Sequence, residues 1–358
     1  MIRAVIGWMA LALACAVATT PIRAADMSKT IHVAFGSAEN GLDPQAVYDS
    51  YSFYVCHAIF DPLYTYDYFA RPVRLVPNTA AALPQITDGG RTFTVKVRPG
   101  IYFAEDPAFK GKKRELTAED YVFTIKRIFD PKVRSYWLYL FDHRLVGLDE
   151  SLERARRTNR FDYDEKIEGL QALDRYTLRL RFKEPYYAFQ YWLSYDGLAA
   201  VAREVVEAYK DDANRVMEHP VGTGPYRLKA WTRGQKIVLE ANPGYREETY
   251  PVPGPGNAGK KLPIVGRIEA TIMEEALPRL LAFSSGQLDT LEVPPSIADN
   301  VLRDGKLLPE YVKRGVILHR KVDPALSFWF FNLDDPVIGG YTPEKIALRR
   351  AIALGYDR

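Results

Sequence analysis

Apolar and polar residues alternate with period two in several stretches of this 358-residue chain and recur with helical spacing in others. Residues 30–35 (TIHVAF) alternate and predict an opening strand, followed by the turn Gly41-Leu42-Asp43-Pro44. Phe53, Val55, Ala58, Ile59 and Phe60 then fall on one helical stripe. Phe93, Val95 and Val97 alternate with polar residues before Pro99-Gly100, and residues 101–103 follow as the second strand of a two-stranded unit. Thr117-Ala118-Glu119-Asp120 reads as the cap of a helix whose apolar positions are Tyr121, Val122, Ile125, Ile128 and Phe129, with Asp130-Pro131 as its end. Residues 151–164 are charged and lack a clean apolar stripe, so a solvated insertion is expected there. Tyr176, Leu178, Leu180 and Phe182 alternate again, and the aromatic residues 186–195 look helical.

The most punctuated stretch is 221–245, VGTGPYRLKAWTRGQKIVLEANPGY. Gly222 and Gly224 are expected to hold backbone angles closed to other residues, and Pro225 launches the next segment. Tyr226, Leu228 and Ala230 alternate against Arg227 and Lys229. A turn at residues 232–235 leads to Ile237 and Leu239, so the stretch predicts a β-hairpin. Residues 250–261 match a phosphate loop loosely, but three prolines stiffen them and Lys261 stands where a magnesium-binding hydroxyl belongs; a surface loop is expected. A strand (264–273), a helix (275–285) and a strand (288–293) predict a βαβ unit, and residues 325–333 (ALSFWFFNL) predict an aromatic strand.

Arg3, the apolar run 4–18 and the small residues Ala24 and Ala25 have the layout of a secretory signal peptide, too short for a membrane span, with cleavage expected near Ala24. Cys15 faintly resembles a lipoprotein site but lies inside the apolar run. Removing residues 1–24 takes away Arg3 and Arg23 and no acid, which lowers the formal charge of +3 by two and leaves no electrostatic case for nucleic acid as a partner. It also leaves Cys56 without an intramolecular partner, so stability must come from a core. A soluble, exported protein is expected.

Chemistry is sparse. His32, His57, His143, His219 and His319 are scattered without metal-ligand spacing, and neither a G-x-S-x-G elbow nor an H-E-x-x-H helix occurs. No catalytic residue, metal site or cofactor is expected. The aromatics are more informative: they cluster at 48–54, 64–69, 136–141, 186–195 and 328–331, where they suit either a core or a cleft that is apolar yet offers hydroxyls.

The order of these motifs resembles the extracellular solute-binding protein family 5, the periplasmic binding proteins of peptide and nickel ABC transporters. The resemblance rests on Leu42-Asp43-Pro44, on Phe60-Asp61-Pro62-Leu63-Tyr64-Thr65-Tyr66-Asp67, and on Leu116, Thr117, Ala118, Asp120, Phe123, Thr124 and Arg127. It continues in Gly222-Thr223-Gly224-Pro225-Tyr226 with Trp231, Gly234, Asn242, Pro243 and Tyr245, in Ser285-Gly286-Gln287-Leu288-Asp289, and in Asn332, Pro336, Arg349, Ala351, Ile352, Asp357 and Arg358.

The resemblance implies an α/β periplasmic-binding-protein type II fold, with two lobes that close on a solute about hinge strands. It implies a leader at 1–24, a first lobe built from 25–60 and 207–331, an inserted α+β subdomain at 61–206, and the opening of an incomplete second lobe at 332–358. By this pattern the chain stops roughly two-thirds of the way through, as a fragment or a natural truncation. Carried over by position, Tyr48, Asp49, Ser50 and Tyr51 would line the cleft, and Trp329, Phe330 and Asn332 would lie on a hinge strand. The implied function is capture of a small solute, an oligopeptide or dipeptide in the first place, for delivery to ABC permease subunits. A nickel complex, haem or sugar as ligand, or a secreted hydrolase, are the alternatives.

Overall fold

The computed structural model describes residues 25–251, 257–320, 322 and 328–356. The leader, part of the 250–261 loop, residues 325–327 of the expected aromatic strand, and Asp357 and Arg358 lie outside the described residues. The chain divides into two compact units, Met1–Ala298 and Asp299–Arg358.

In the first unit the elements are β1 (Asp26–Phe35), α1 (Ser50–Ile59), β2 (Tyr64–Tyr66), β3 (Leu75–Pro77), β4 (Gln85–Thr87), β5 (Thr92–Lys96), α2 (Ala118–Phe129), α3 (Asp149–Thr158), β6 (Leu170–Asp174) and β7 (Thr177–Arg181). They continue with α4 (Phe189–Trp192), α5 (Arg203–Tyr209), β8 (Tyr226–Thr232), β9 (Lys236–Ala241), β10 (Val265–Ile272) and α6 (Ala276–Ser284). Eight of the strands make two four-stranded sheets, ordered β1-β10-β9-β8 and β4-β5-β7-β6, and β2 pairs with β3 in a separate two-stranded sheet. β1 runs parallel to β10, and the other pairs are antiparallel.

The period-two pattern sets both registers. Phe93 sits opposite Leu180 and Val95 opposite Leu178, so the inward side chains of β5 and β7 meet in rows. Phe93, Phe182 and Phe189 join them with ring centroids 4.6 to 5.8 Å apart, pairs of the kind that add about 0.5–1.5 kcal/mol each. α2 closes this core, held at its start by the Asp120 carboxylate, which accepts from Thr117 N (2.7 Å) and Thr117 Oγ1 (2.9 Å). In the other sheet Val33, Ala270 and Ile237 form one row and Ile31, Ile268 and Leu239 the next. That face carries the second core, completed by Val55, Cys56 and Ile59 of α1.

Several expectations are corrected. Residues 101–103 do not pair with β5; its neighbours are β4 and β7, and Tyr102 makes only an isolated bridge to Glu115. The charged stretch is partly helix, α3, because Leu148, Leu152 and Ala155 make a narrow buried stripe at helical spacing. The aromatic stretch 186–195 is helical only over α4. The hairpin forms as expected, but a register shift between Leu228 and Ala230 turns Ala230 outward and brings Trp231 onto the core.

Residues 288–293 form no strand. Both edges of β10 are taken by β1 and β9, so this segment lies along β1, where Asp289 N donates to His32 O (2.9 Å) and the Asp289 carboxylate accepts from His32 N (2.7 Å). Gly222 and Gly224 also serve a different purpose from the one expected. Neither has a positive φ; a Cβ on them would lie 2.1 and 2.6 Å from Ile59 O, so glycine here permits backbone contact with the end of α1.

The second unit contains a two-stranded hairpin, β11 (Leu302–Arg303) with β12 (Lys306–Leu307), and two helices, α7 (Pro309–Lys313) and α8 (Pro343–Leu354). Asp304 and Gly305, both at positive φ, make its turn. Residues 328–333 are not a strand, and Phe328, Trp329 and Phe330 are exposed.

Candidate functional site

Between α1 and the β1-β10-β9 face lies a cavity of about 380 Å³. Its floor is the apolar rows of the sheet, including Val33, Ile237, Leu239, Ile268 and Ala270; one wall is Tyr51, Tyr54, Val55 and Ala58 of α1; Arg279 of α6 and residues 290–292 complete it. Three rings meet in its lining. Phe35 and Tyr51 stack at 4.7 Å, Tyr51 meets Tyr54 edge-on at 6.0 Å, and Phe35 and Tyr54 are 6.3 Å apart. The size and the apolar-with-hydroxyl lining suit a small organic ligand. Arg279 is oriented by its own Nη1, which donates to Met273 O (2.7 Å) and Glu274 O (2.9 Å).

The sequence-derived site residues separate. Tyr51 lines the cavity. Asp49 is the N-cap of α1: its carboxylate accepts from Ser52 N (2.8 Å) and Asn40 N (3.3 Å), which commits it to holding the helix. Ser50 opens the helix and Tyr48 precedes it, both facing solvent. Trp329, Phe330 and Asn332 belong to the second unit, where Trp329 packs its ring 5.4 Å from Tyr356 and Asn332 Oδ1 accepts from Asp334 N (3.1 Å). Phe35, Gly36, Tyr54 and Arg279 were missed. Tyr54 could have been found from its place three residues after Tyr51 on a helix; Gly36 was marked only by ending the first strand, and nothing local marked Arg279.

The motif residues outside the cavity are structural ties. Asp43 and Arg127 form a buried bidentate pair (2.6 and 3.0 Å) that also engages Gln45 Oε1, Asn214 O and Val216 N. Burial alone would raise the Asp43 pKa; the Arg127 guanidinium and the amides of Val216 and Gln45 outweigh it and hold the carboxyl below its ordinary range. Asp61 similarly accepts from Arg246 Nη1 (2.6 Å) and Thr223 Oγ1 (3.0 Å), tying the end of α1 to the hairpin. Glu39 accepts from Trp231 Nε1 (2.5 Å) and Gly234 N (3.1 Å), fixing the loop after β1 to the hairpin turn. Among the described residues no cluster of three His, Cys, Asp or Glu is placed to hold a metal, and no helix is long and apolar enough to cross a membrane.

Residues 74–358 match the family described as bacterial extracellular solute-binding proteins, family 5 Middle. Among curated relatives, protein XP55 of Streptomyces lividans is 28% identical over 84% of this chain and 44% of its own length. The peptide transport periplasmic protein SapA of Salmonella typhimurium is 26% identical over 79% of this chain and 45% of its own, and the glutathione-binding protein GsiB of Pectobacterium atrosepticum 26% over 68% and 40%. The chain thus spans less than half the length of these relatives.

Its fold is similar to that of a periplasmic oligopeptide-binding protein from Borrelia burgdorferi (TM-score 0.61, 22% identity, 77% of this chain and 50% of that one). It is similar also to Helicobacter pylori DppA in complex with the peptide STSA (TM-score 0.58, 23% identity, 76% and 48%). The ordered motifs, the periplasmic-binding-protein-like α/β fold and the match over residues 74–358 agree: this chain belongs to the bacterial extracellular solute-binding proteins of family 5.

Proposed function

We propose that the chain is part of an exported receptor that captures a peptide-class solute and hands it to the permease of an ABC importer, without making or breaking a covalent bond. The observation that carries this reading is the family match over residues 74–358; the aromatic cavity under α1 supports it, since it offers apolar surface and hydroxyls together. In this reading residues 25–60 and 207–331 form the first lobe, 61–206 an inserted subdomain, and 332–358 begin the second lobe. Of the sequence-derived contacts, Tyr51 has the strongest geometric support, while Tyr48, Ser50, Trp329, Phe330 and Asn332 are exposed positions free to meet a ligand. The leader at 1–24 directs the chain to the periplasm, where it works as a monomer and docks on membrane-embedded permease subunits.

The test is mass spectrometry of solutes released from protein purified without denaturation from its own cell envelope. Release of short peptides is the expected result. Recovery of metal chelates or glycans alone, or of no solute at all, would sink the peptide reading.

A further inference from the structure

Arg279 is an unneutralised cation in the wall of an apolar cavity. Its Nη1 is committed to two backbone carbonyls, its Nε is buried without an acceptor, and among the described residues it forms no ion pair. Glu292, the acid nearest in the lining, faces solvent. Arg279 is half-exposed, and its Nη2 makes no hydrogen bond among the described residues, so that edge is the one a carboxylate would meet through charge-assisted hydrogen bonds.

A second observation places the anion. A Cβ built on Gly36 would lie 2.8 Å from Tyr51 Oη and 2.9 Å from Arg279 Nη1, so the phenol and the guanidinium sit together over one residue that has no side chain, with Tyr51 Oη and Arg279 Nη2 as the donors left for an anion. Gly36 has an ordinary backbone conformation, so the absence of a side chain serves this convergence and not a turn. Beside it, Phe35, Tyr51 and Tyr54 form a three-ring cluster in the lining.

We infer that Gly36, Tyr51 and Arg279 form an anion-recognition site for a small carboxylate whose apolar body lies against the Phe35, Tyr51 and Tyr54 rings. This deepens the receptor reading, on which it rests for physiological meaning: the carboxylate is that of a peptide ending in an apolar residue. A single guanidinium with one hydroxyl matches the charge and planarity of a carboxylate.

The test is calorimetric titration of the full chain with 3-phenylpropionate and with 3-phenylpropanamide, in wild type, Arg279→Gln, Arg279→Lys and Gly36→Ala, with circular dichroism confirming the fold of each variant. In wild type the acid should bind at least about tenfold tighter than the amide. Arg279→Gln should abolish that gap, Arg279→Lys should keep part of it, and Gly36→Ala should weaken the acid by crowding both donors. Equal binding of acid and amide, no binding of the acid, or an unchanged gap in Arg279→Gln would each overturn the inference. The tripeptide Ala-Ala-Phe and its amide separate the two readings. Binding of both that ignores Arg279 refutes the anion site and leaves the peptide receptor standing. Loss of tripeptide binding alongside Arg279-dependent binding of 3-phenylpropionate supports the anion site and removes the peptide receptor.

Discussion

Asp43 and Arg127, 84 residues apart in sequence, face each other through two hydrogen bonds of 2.6 and 3.0 Å with both side chains out of solvent. One comes from the turn after β1, the other from the last turn of α2, so this pair joins the two cores of the first unit. Arg127→Met alone leaves a buried carboxylate unpaired and should cost about 3–5 kcal/mol. Adding Asp43→Leu should recover part of that loss, because no charge is then stranded. Urea unfolding of the three proteins checks the order. Since the Asp43 pKa is lowered, its contribution should be present above the ordinary value of 3.8 and should fade as pH falls through the lower folded value.

Gly222→Ala should destabilise by about 1–3 kcal/mol, because its Cβ would meet Ile59 O at 2.1 Å and push the hairpin from α1, straining the bond from Gly224 N to the same oxygen (2.8 Å). Gly244→Ala, in the same motif, meets nothing closer than Asn242 Oδ1 at 3.4 Å and should stay within about 0.5 kcal/mol of wild type. Thermal unfolding of both variants shows whether close contact with Ile59 O is what requires glycine at 222.

Cys56 is a free, buried thiol. Burial, and then the fields of Asp196, Asp43 and Asp49, hold its pKa well above the ordinary 9.0. In a Cys15→Ser background the native protein should therefore resist thiol reagents such as Ellman's reagent, and urea should expose a reactive thiol. Rapid labelling without denaturant would contradict this.

His57 Nδ1 lies 2.9 Å from Asp196 Oδ1, and this bond raises the imidazole pKa above 6.5 against the opposing effect of burial, with further help from the charges of Asp196 and Asp61. A raised folded pKa means stability that is fully present below 6.5 and lost as pH climbs through the folded value. The side chain is 65% exposed, so solvent screening keeps the effect small. The melting temperature of His57→Gln should fall below wild type at about pH 5 and match it at about pH 9.

Much of the fold was legible because local rules coincide with tertiary ones. The 221–245 hairpin, the Thr117–Asp120 capping box and the alternation in β5 and β7 each announce themselves within a few residues. Long-range facts were not legible. Residues 288–293 read as a strand from sequence, yet pairing depended on whether β10 had a free edge, which no local pattern records. The same holds for the site: Tyr51 sits on a recognisable helix, whereas Arg279 matters only because the chain folds it toward Gly36, 243 positions earlier. Asp49 shows the converse, a polar residue next to aromatics whose carboxylate is consumed by a helix cap.

The parallel pairing of β1 with β10 bears on the order of assembly. Phe35 must wait for Ile272, with roughly 230 residues of chain between them, while the sheet of β4 to β7 needs only the stretch from Gln85 to Arg181. A nascent chain therefore has the means to consolidate the internal sheet early. Its first strand stays unpartnered until residues 265–272 have been made, so completion of the β1-β10-β9-β8 sheet is the later event.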